Sequence, residues 1–542
     1  MAEAKKRILI LGGGFGGVYT AARLEKLLRP EEASISLVNR ENYFVYQPML
    51  PEVISGSIGL TDVVSPIRRL CPRTQLVMRE VEKIDLVNRV VTCSPGFRPR
   101  RLELPYDHLV IALGGITSVY GMPGMLEHSQ PFRTLADAIL LRNRIIHCLE
   151  EADVETDVEL RRKLVTFVVS GGGFSGVEVI AEVNDFVRAV CKLYRRIPRQ
   201  EIRCVLVHSR ERILQEMDEE LALFAEKILA RRGVELHLND RLVGATSEKA
   251  ILKSGKEIPT KTIVSTVPSA MPPVLDKLEC AKEKGRLLVD RGLALQGYEG
   301  QVWALGDCAF VTTVSGTAAP PTAQHATREA STVAANIAAE IRGGQRAEFA
   351  FEGLGKLGAL GHNCAIANVF GVKVSGFLAW LLWRAIYLMK LPGFDTKFRV
   401  AVDWLTSLLL PPGIAQLSLD RLSGFSEQHF GPGEIVFNQG DVGDFVYVIR
   451  SGECEVLRPA GGEELEKLAD LKAGDYFGEM AVLADASRNA TVRARTAMNV
   501  LLIPKTDFDK LKSNVPAFGE VFRSLAERRA AEDAPDRPTS SS

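Results

Sequence analysis

What most constrains this chain is a strand–turn–helix signature that it carries twice. In RILILGGGFGGVYTAARLEKL, residues 7–27, an apolar strand run leads into Gly12, Gly14 and Gly17 at G-x-G-x-x-G spacing, and a helical pattern follows. KLVTFVVSGGGFSGVEVIAEVNDF, residues 163–186, repeats the arrangement with Gly171, Gly173 and Gly176. Such glycines permit a tight turn and the close approach of a diphosphate, which the helix N-terminus then stabilises. SISLVN and IRCVLVHSRERIL supply a second strand to each unit. An α/β fold with two Rossmann-like dinucleotide-binding domains is therefore predicted. Two such folds suggest two dinucleotides, and the commonest chemical reason is hydride transfer from a nicotinamide to a flavin. A duplicated fold with one dead site is the alternative.

The second strands end on informative residues. Asn39 stands where a carboxylate usually holds the ribose hydroxyls, though an amide still hydrogen-bonds. The second unit has His208 and Ser209, then Arg210 and Arg212, and the missing carboxylate removes a source of repulsion against a 2′-phosphate. Further on, ALGDCAF places Gly306 and Asp307 after a short strand, where the Asp can bond a ribityl or phosphate-side hydroxyl. YDHLVIALGG, with Gly114 near its end, reads as the point where the chain returns between domains. The first domain then closes in two pieces, 1–125 and 285–345, around a second at 126–284.

Composition narrows the function classes. Lys plus Arg equals Asp plus Glu at 67 each, so no bulk charge invites nucleic acid. The nine cysteines are scattered, with no C-x-x-C and no Cys/His cluster at zinc spacing, which predicts a reducing compartment and no structural metal. The N-terminus reads as a first strand and not as a signal peptide. No run of about 20 apolar residues is present, so no spanning helix is expected.

In order along the chain, GGGFGG, NRENYFVYQPMLPEV, ALGG, GGGFSGVEVIAE, ALGDCA and PPTAQHATREA resemble the type II NADH:quinone oxidoreductases over residues 5 to about 415. The resemblance implies non-covalent FAD between the first glycine turn and Asp307, with NADH docking against the isoalloxazine. NADH is the expected donor on that ground, and NADPH stays open as an alternative. Glu178 matches the family acid near flavin and nicotinamide; read from the residues alone, it also suits the first turn of a helix, where the dipole favours a carboxylate. A dithiol reductase would need a C-x4-C pair near residues 40–60, where there is no cysteine.

PPTAQHATREA resembles the segment under the flavin on the quinone side. The family places a second glutamine four residues after the first and a glycine six after it; here Gln324 is followed by Arg328 and Ala330. At helical spacing Gln324 and Arg328 share a face and can meet one quinone head group, although Arg328 also reads as an ordinary surface cation. GFLAWLLWRAIYLMKLPGF (376–394) and FRVAVDWLTSLLLPPGIAQL (398–417) are too short and interrupted to span a membrane. Rich in aromatics, with Arg384, Lys390, Lys397 and Arg399 available for anionic head groups, they read as an interfacial anchor spanning residues 346–415. A buried helical hairpin or a dimer interface is the bland alternative. The expected setting is peripheral, on the cytoplasmic face of the inner membrane, with lipid and quinone as partners, and a homodimer is expected.

Beyond Pro412 short β-prone runs alternate with Gly-Asp and Ser-Gly turns, as in a small β-barrel or jelly roll. Residues 416–528 resemble a cyclic nucleotide-binding domain, and 529–542 read as a disordered tail. Its phosphate cassette runs from Gly478, Glu479 and Ala481 to Arg488. In such a cassette backbone N–H groups cradle the cyclic phosphate, Arg488 neutralises it and Glu479 accepts from the ribose 2′-hydroxyl. Asn489 and Thr491 suit either purine, so cAMP and cGMP are not separated. The leading expectation is two-electron transfer from NADH through FAD to a membrane quinone, without charge translocation, under a cyclic nucleotide's control. The alternatives are a soluble NAD(P)H flavoprotein reductase with another acceptor, and a cyclic nucleotide sensor on an inactive flavin fold.

Overall fold

The computed structural model describes residues 5–117, 122–246, 248–267, 269–417, 426–459, 465–484, 486–505 and 507–508. The expected tail at 529–542 lies outside them. The chain divides into two compact units, Met1–Thr92 with Glu103–Leu417, and Cys93–Leu102 with Ser418–Ser542.

Two five-stranded parallel sheets organise the first unit. One runs in the order Val302–Ala304, His108–Ile111, Lys6–Leu11, Ala33–Asn39, Gln75–Met78; the other runs Ser129–Pro131, Thr262–Ser265, Thr166–Ser170, Arg203–Val207, Val234–His237. In both, the strand that feeds the glycine turn is central. Thr166–Ser170 is buried along its whole length, the pattern of a parallel strand covered on both faces. The first sheet takes its edge strand Val302–Ala304 from beyond the last strand of the second, so it is discontinuous in sequence.

The helix Ala323–Arg342 packs along the first-turn helix Phe15–Leu27 with a stripe of Ala326, Ala330, Val333, Ala334 and Ile337. A three-stranded antiparallel sheet, Gly355–Ala359, Ala365–Val369 and Val372–Gly376, then leads into the helices Phe377–Lys390 and Phe394–Leu409. Among the described residues no helix is long and apolar enough to cross a membrane.

The second unit is β-rich. One antiparallel sheet holds Ser426–Phe430, Met498–Pro504, Phe445–Ser451 and Tyr476–Phe477, and the other holds Ile435–Phe437, Thr491–Ala494, Glu453–Pro459 and Leu465–Lys472. Phe437, Cys454 and Val492 of one sheet meet Tyr447, Phe477 and Met498 of the other in a shared core. Among the described residues this is a pair of packed sheets and not a closed barrel, because no ladder joins the two.

Candidate active site

The two glycine turns are filled by packing at all but one fingerprint position. A Cβ at Gly12, whose φ is +104°, would lie 2.3 Å from the Ala112 carbonyl oxygen, and one at Gly17 would lie 1.8 Å from the Gly12 oxygen. Gly171, φ +117°, is closed by Thr266, and Gly176 by the Gly171 oxygen at 1.8 Å. A Cβ at Gly14 or Gly173 would meet nothing within 4 Å. These two open glycines are the N-caps of Phe15–Leu27 and Phe174–Val190, which have no side-chain cap and no acid in the first turn. Their leading N–H groups and positive dipole ends are left for an anion, so the residues present fit a dinucleotide diphosphate at each turn. Gly114, beyond His108–Ile111, is likewise open on its Cβ side.

The strand-end residues hold the turns from beneath. Asn39 Oδ1 accepts from the Gly13 N–H at 2.9 Å, and its Nδ2 donates to the Glu41 carbonyl at 2.9 Å. In the second turn the Gly172 N–H donates to His208 Nδ1 at 3.0 Å. An accepting Nδ1 belongs to a neutral ring, consistent with burial lowering the His208 pKa. A Cβ on either middle glycine would strike that partner at 2.5 Å. Gly13 and Gly172 were therefore missed as required glycines. Arg210 is exposed, while Arg212 lies 3.8 Å from Glu219. Asp307 sits in a short turn with Arg133 3.5 Å away, and the Gly306 N–H donates to Glu329 Oε2 at 2.7 Å. Cys308 is fully buried.

On the expected quinone side Gln324 and Arg328 reach the same segment by different means. The Gln324 amide donates to the Gly355 carbonyl at 3.1 Å and accepts from the Leu354 N–H at 3.1 Å. Arg328 is exposed and lies over the Phe351 ring, 5.3 Å from its centroid.

Glu178 differs from its helix-capping alternative. The helix begins at Phe174, which places Glu178 past the first turn, and the carboxylate accepts instead from the Ala359 N–H at 3.0 Å. Burial pushes it up to about 8, against the lowering effect of that bond. Its helix also carries buried Glu182 one turn on, whose pKa burial raises well above the carboxylate norm.

Residues 6–330 match the pyridine nucleotide-disulphide oxidoreductase family, 354–410 the NDH2 C-terminal domain, and 427–514 the cyclic nucleotide-binding domain. The chain is 29% identical over 422 residues to the type II NADH:quinone oxidoreductase Ndh of Mycobacterium tuberculosis, covering 75% of this chain and 88% of that protein. It is 30% identical over 416 residues to the demethylphylloquinone reductase NdbB of Synechocystis, covering 75% of this chain and 97% of that one. The chain belongs to the type II NADH:quinone oxidoreductase family. The fold agrees: NDH2 of Plasmodium falciparum, solved with NADH, matches at a TM-score of 0.69 and 18% identity over 76% of this chain and 100% of that one. This member of the family is thus a FAD- and NAD(P)H-dependent oxidoreductase with an added cyclic nucleotide-binding-like domain.

Within this type II oxidoreductase, Arg384 corrects one expectation. It does not face outward for lipid head groups but is buried between Trp380 and Trp404, with ring centroids at 4.1 and 4.4 Å, and pairs with buried Glu52 at 3.4 Å. The Trp404 indole N–H donates to the other Glu52 oxygen at 2.8 Å. A guanidinium flat enough to stack and charged enough to satisfy a buried carboxylate is drawn inward. These helices also expose Phe377, Leu378, Leu381, Phe398 and Leu405. His362 lines a cavity of about 580 Å³ with Asp185, Asp403 and Leu410.

In the added domain Gly478, with φ +85°, leads into the helix Glu479–Ala484, and Glu479 and Ala481 are buried. Arg488 is buried too, and its guanidinium is engaged within the domain. It donates to the Gly478 carbonyl at 2.6 Å and the Phe445 carbonyl at 2.8 Å, and stacks over Phe437 at 4.2 Å. Its Nε has no partner. Thr491 Oγ1 accepts from the Gln439 N–H at 3.0 Å, whereas Asn489 is exposed.

Proposed function

We propose that this protein passes two electrons from NADH through FAD to a membrane quinone without moving charge across the membrane. The observation that carries the reading is the pair of turns in one compact unit, each closed everywhere except at the N-capping glycine where a diphosphate would lie. FAD supplies a two-electron acceptor that takes hydride from a nicotinamide and releases electrons to a quinone. Gly12, Gly14 and Gly17 hold its diphosphate, with Asp307 at the ribityl side; Gly171, Gly173 and Gly176 hold that of the nicotinamide.

Glu178 is a neutral carboxylic acid over most of the physiological range, given its position near 8. It presents a proton and no charge to the nicotinamide side, so hydride transfer meets no anion there. Gln324 and Arg328 orient the quinone carbonyls, Arg328 with its exposed charge and Gln324 by fixing the 354–355 backbone. The apolar outer faces of Phe377–Lys390 and Phe394–Leu409 rest on the cytoplasmic leaflet, and two copies form a dimer. In the added domain a cyclic nucleotide regulates turnover, its phosphate meeting Arg488 at Nε or displacing the Gly478 and Phe445 carbonyls.

The test is to purify the full chain with native lipid, record the flavin spectrum, and follow bleaching by NADH and its return on adding a quinone. Flavin bleached by NADH and restored by quinone is expected. A colourless protein, or a flavin that NADH does not bleach, overturns the proposal.

A further inference from the structure

One buried ionisable pair has no part in these roles. His325 and Glu329 lie one turn apart on the inward stripe of Ala323–Arg342, each 2% exposed among alanine, valine and isoleucine. Titratable groups on such a stripe are costly to desolvate unless bonded. The His325 ring is fixed by Thr322, Oγ1 to Nδ1 at 2.7 Å, and stands edge-on to Phe351 at 5.1 Å. Its Nε2 is buried with no hydrogen-bond partner. Glu329 gives Oε2 to the Gly306 N–H, next to Asp307. Both side chains line a cavity of about 10 Å³, with Arg286 and Thr322 also on its wall. That is the threshold volume for a single water, and the polar atoms to hold one are present.

The pair can be satisfied in two states of charge. When Thr322 donates to Nδ1, Nε2 carries the proton and donates through the cavity toward a Glu329 carboxylate. When Thr322 accepts, Nε2 is bare and accepts from a protonated Glu329. Burial pushes Glu329 up to about 7, with Asp307 adding to the rise and Arg286 opposing it. Burial pushes His325 down, opposed by Glu352, so the ring is neutral and the carboxyl is the group that titrates. Arg133 also stands at the turn, paired with Asp307.

We propose that His325 and Glu329, joined through this cavity, form a proton-exchange pair that takes one proton from solvent when the flavin beside Gly306–Asp307 is reduced, and gives it up when the electrons leave. This rests on the FAD reading above. The balance closes: hydride from NADH carries two electrons and one proton, quinol needs two electrons and two protons, and the pair holds the second. It acts through the Gly306 turn, so both residues are positioning residues.

The experiment is a redox titration of the flavin in the full chain from pH 5.5 to 8.5, without nicotinamide or quinone. Each proton taken up per electron pair steepens the potential by about 30 mV per pH unit, the tenfold equivalent for a two-electron couple. The wild-type line is expected to steepen by that amount above about pH 7. Glu329→Gln, which still accepts from Gly306, should remove the break, and His325→Gln should shift it. Equal slopes in wild type and Glu329→Gln at every pH overturn the proposal. Should the variant not hold flavin, an unbroken wild-type line overturns it alone. Wild-type protein without flavin overturns the proposed function, and this pair with it.

Discussion

The two glycine turns are near-copies in backbone and opposites in what their helices bury. From the open glycine onward, FGGVYTAARLEK and FSGVEVIAEVND align residue for residue, so Tyr19 corresponds to Glu178, Arg23 to Glu182 and Lys26 to Asp185. The first helix packs against the stripe of Ala323–Arg342; the second is buried around much of its circumference, and the acids on it meet other segments of the chain, Ala359 and the Glu52 cluster. The turn leaves the same open glycine in both copies, and the helix behind it decides which titratable groups are buried nearby. A duplicated turn thus acquires two surroundings without any change to its glycines.

The comparison breaks most visibly at the third glycine. Gly17→Ala and Gly176→Ala each force a Cβ within 1.8 Å of a carbonyl oxygen, so each should destabilise by roughly 3 kcal/mol or more. Gly17→Ala should be isolated without flavin, whereas Gly176→Ala should keep its flavin and lose bleaching by NADH; absorbance at purification and after NADH checks both. A Gly17→Ala protein that stays yellow would undo the assignment of the two cradles.

Next in size is the proton stored at Glu178. Its native pKa is raised, so its contribution to stability is full below the unfolded value near 4.5 and is lost as pH rises through about 8. Glu178→Gln should therefore gain over wild type as pH rises, by a few kcal/mol at pH 9, and match it near pH 4. Urea unfolding at a series of pH values measures this. Tyr19→Phe, its counterpart, should show no pH-dependent difference across the same range.

A smaller effect separates the strand ends. His208→Glu supplies the absent carboxylate and should shift preference toward NADH over NADPH by about tenfold, roughly 1.4 kcal/mol. Arg210→Ala should weaken NADPH alone. Steady-state kcat/KM with both donors reads these out. The smallest effect is acidic: burial lowers the native pKa of His208, so its support of Gly172 is fully present above the free-imidazole value and is lost as pH falls through the depressed native value. Nicotinamide affinity, measured across an acidic pH series, should weaken modestly once the ring protonates, a dependence that Asn39 cannot impose on flavin retention.

Much of this was legible in the residues. Gly12, Gly14 and Gly17 and their repeats marked the central strand of each sheet and the turn that follows it, because the signature is local. The partners of Arg384 were not, since Glu52 and Trp404 are separated by 352 positions and an arginine on an apolar helix reads as a cation for head groups until its carboxylate is found. Asn39 and His208 stand where a ribose carboxylate is usual, whereas their bonds to Gly13 and Gly172 depend on the strand spacing. Glu329 was within reach: His325 and Glu329 stand four apart on a stripe of alanines, a pattern visible in PPTAQHATREA.

The clamp of Arg384 between Trp380 and Trp404 has one more consequence. The helix pair is held to the body by buried groups such as Arg384 and Glu52 and by ion pairs nearer the surface, so the exposed leucines between them are free of that duty. Substitutions at Leu378, Leu381 or Leu405 can accumulate over generations and retune how the molecule adheres to its surroundings, while the clamp beneath them is left in place.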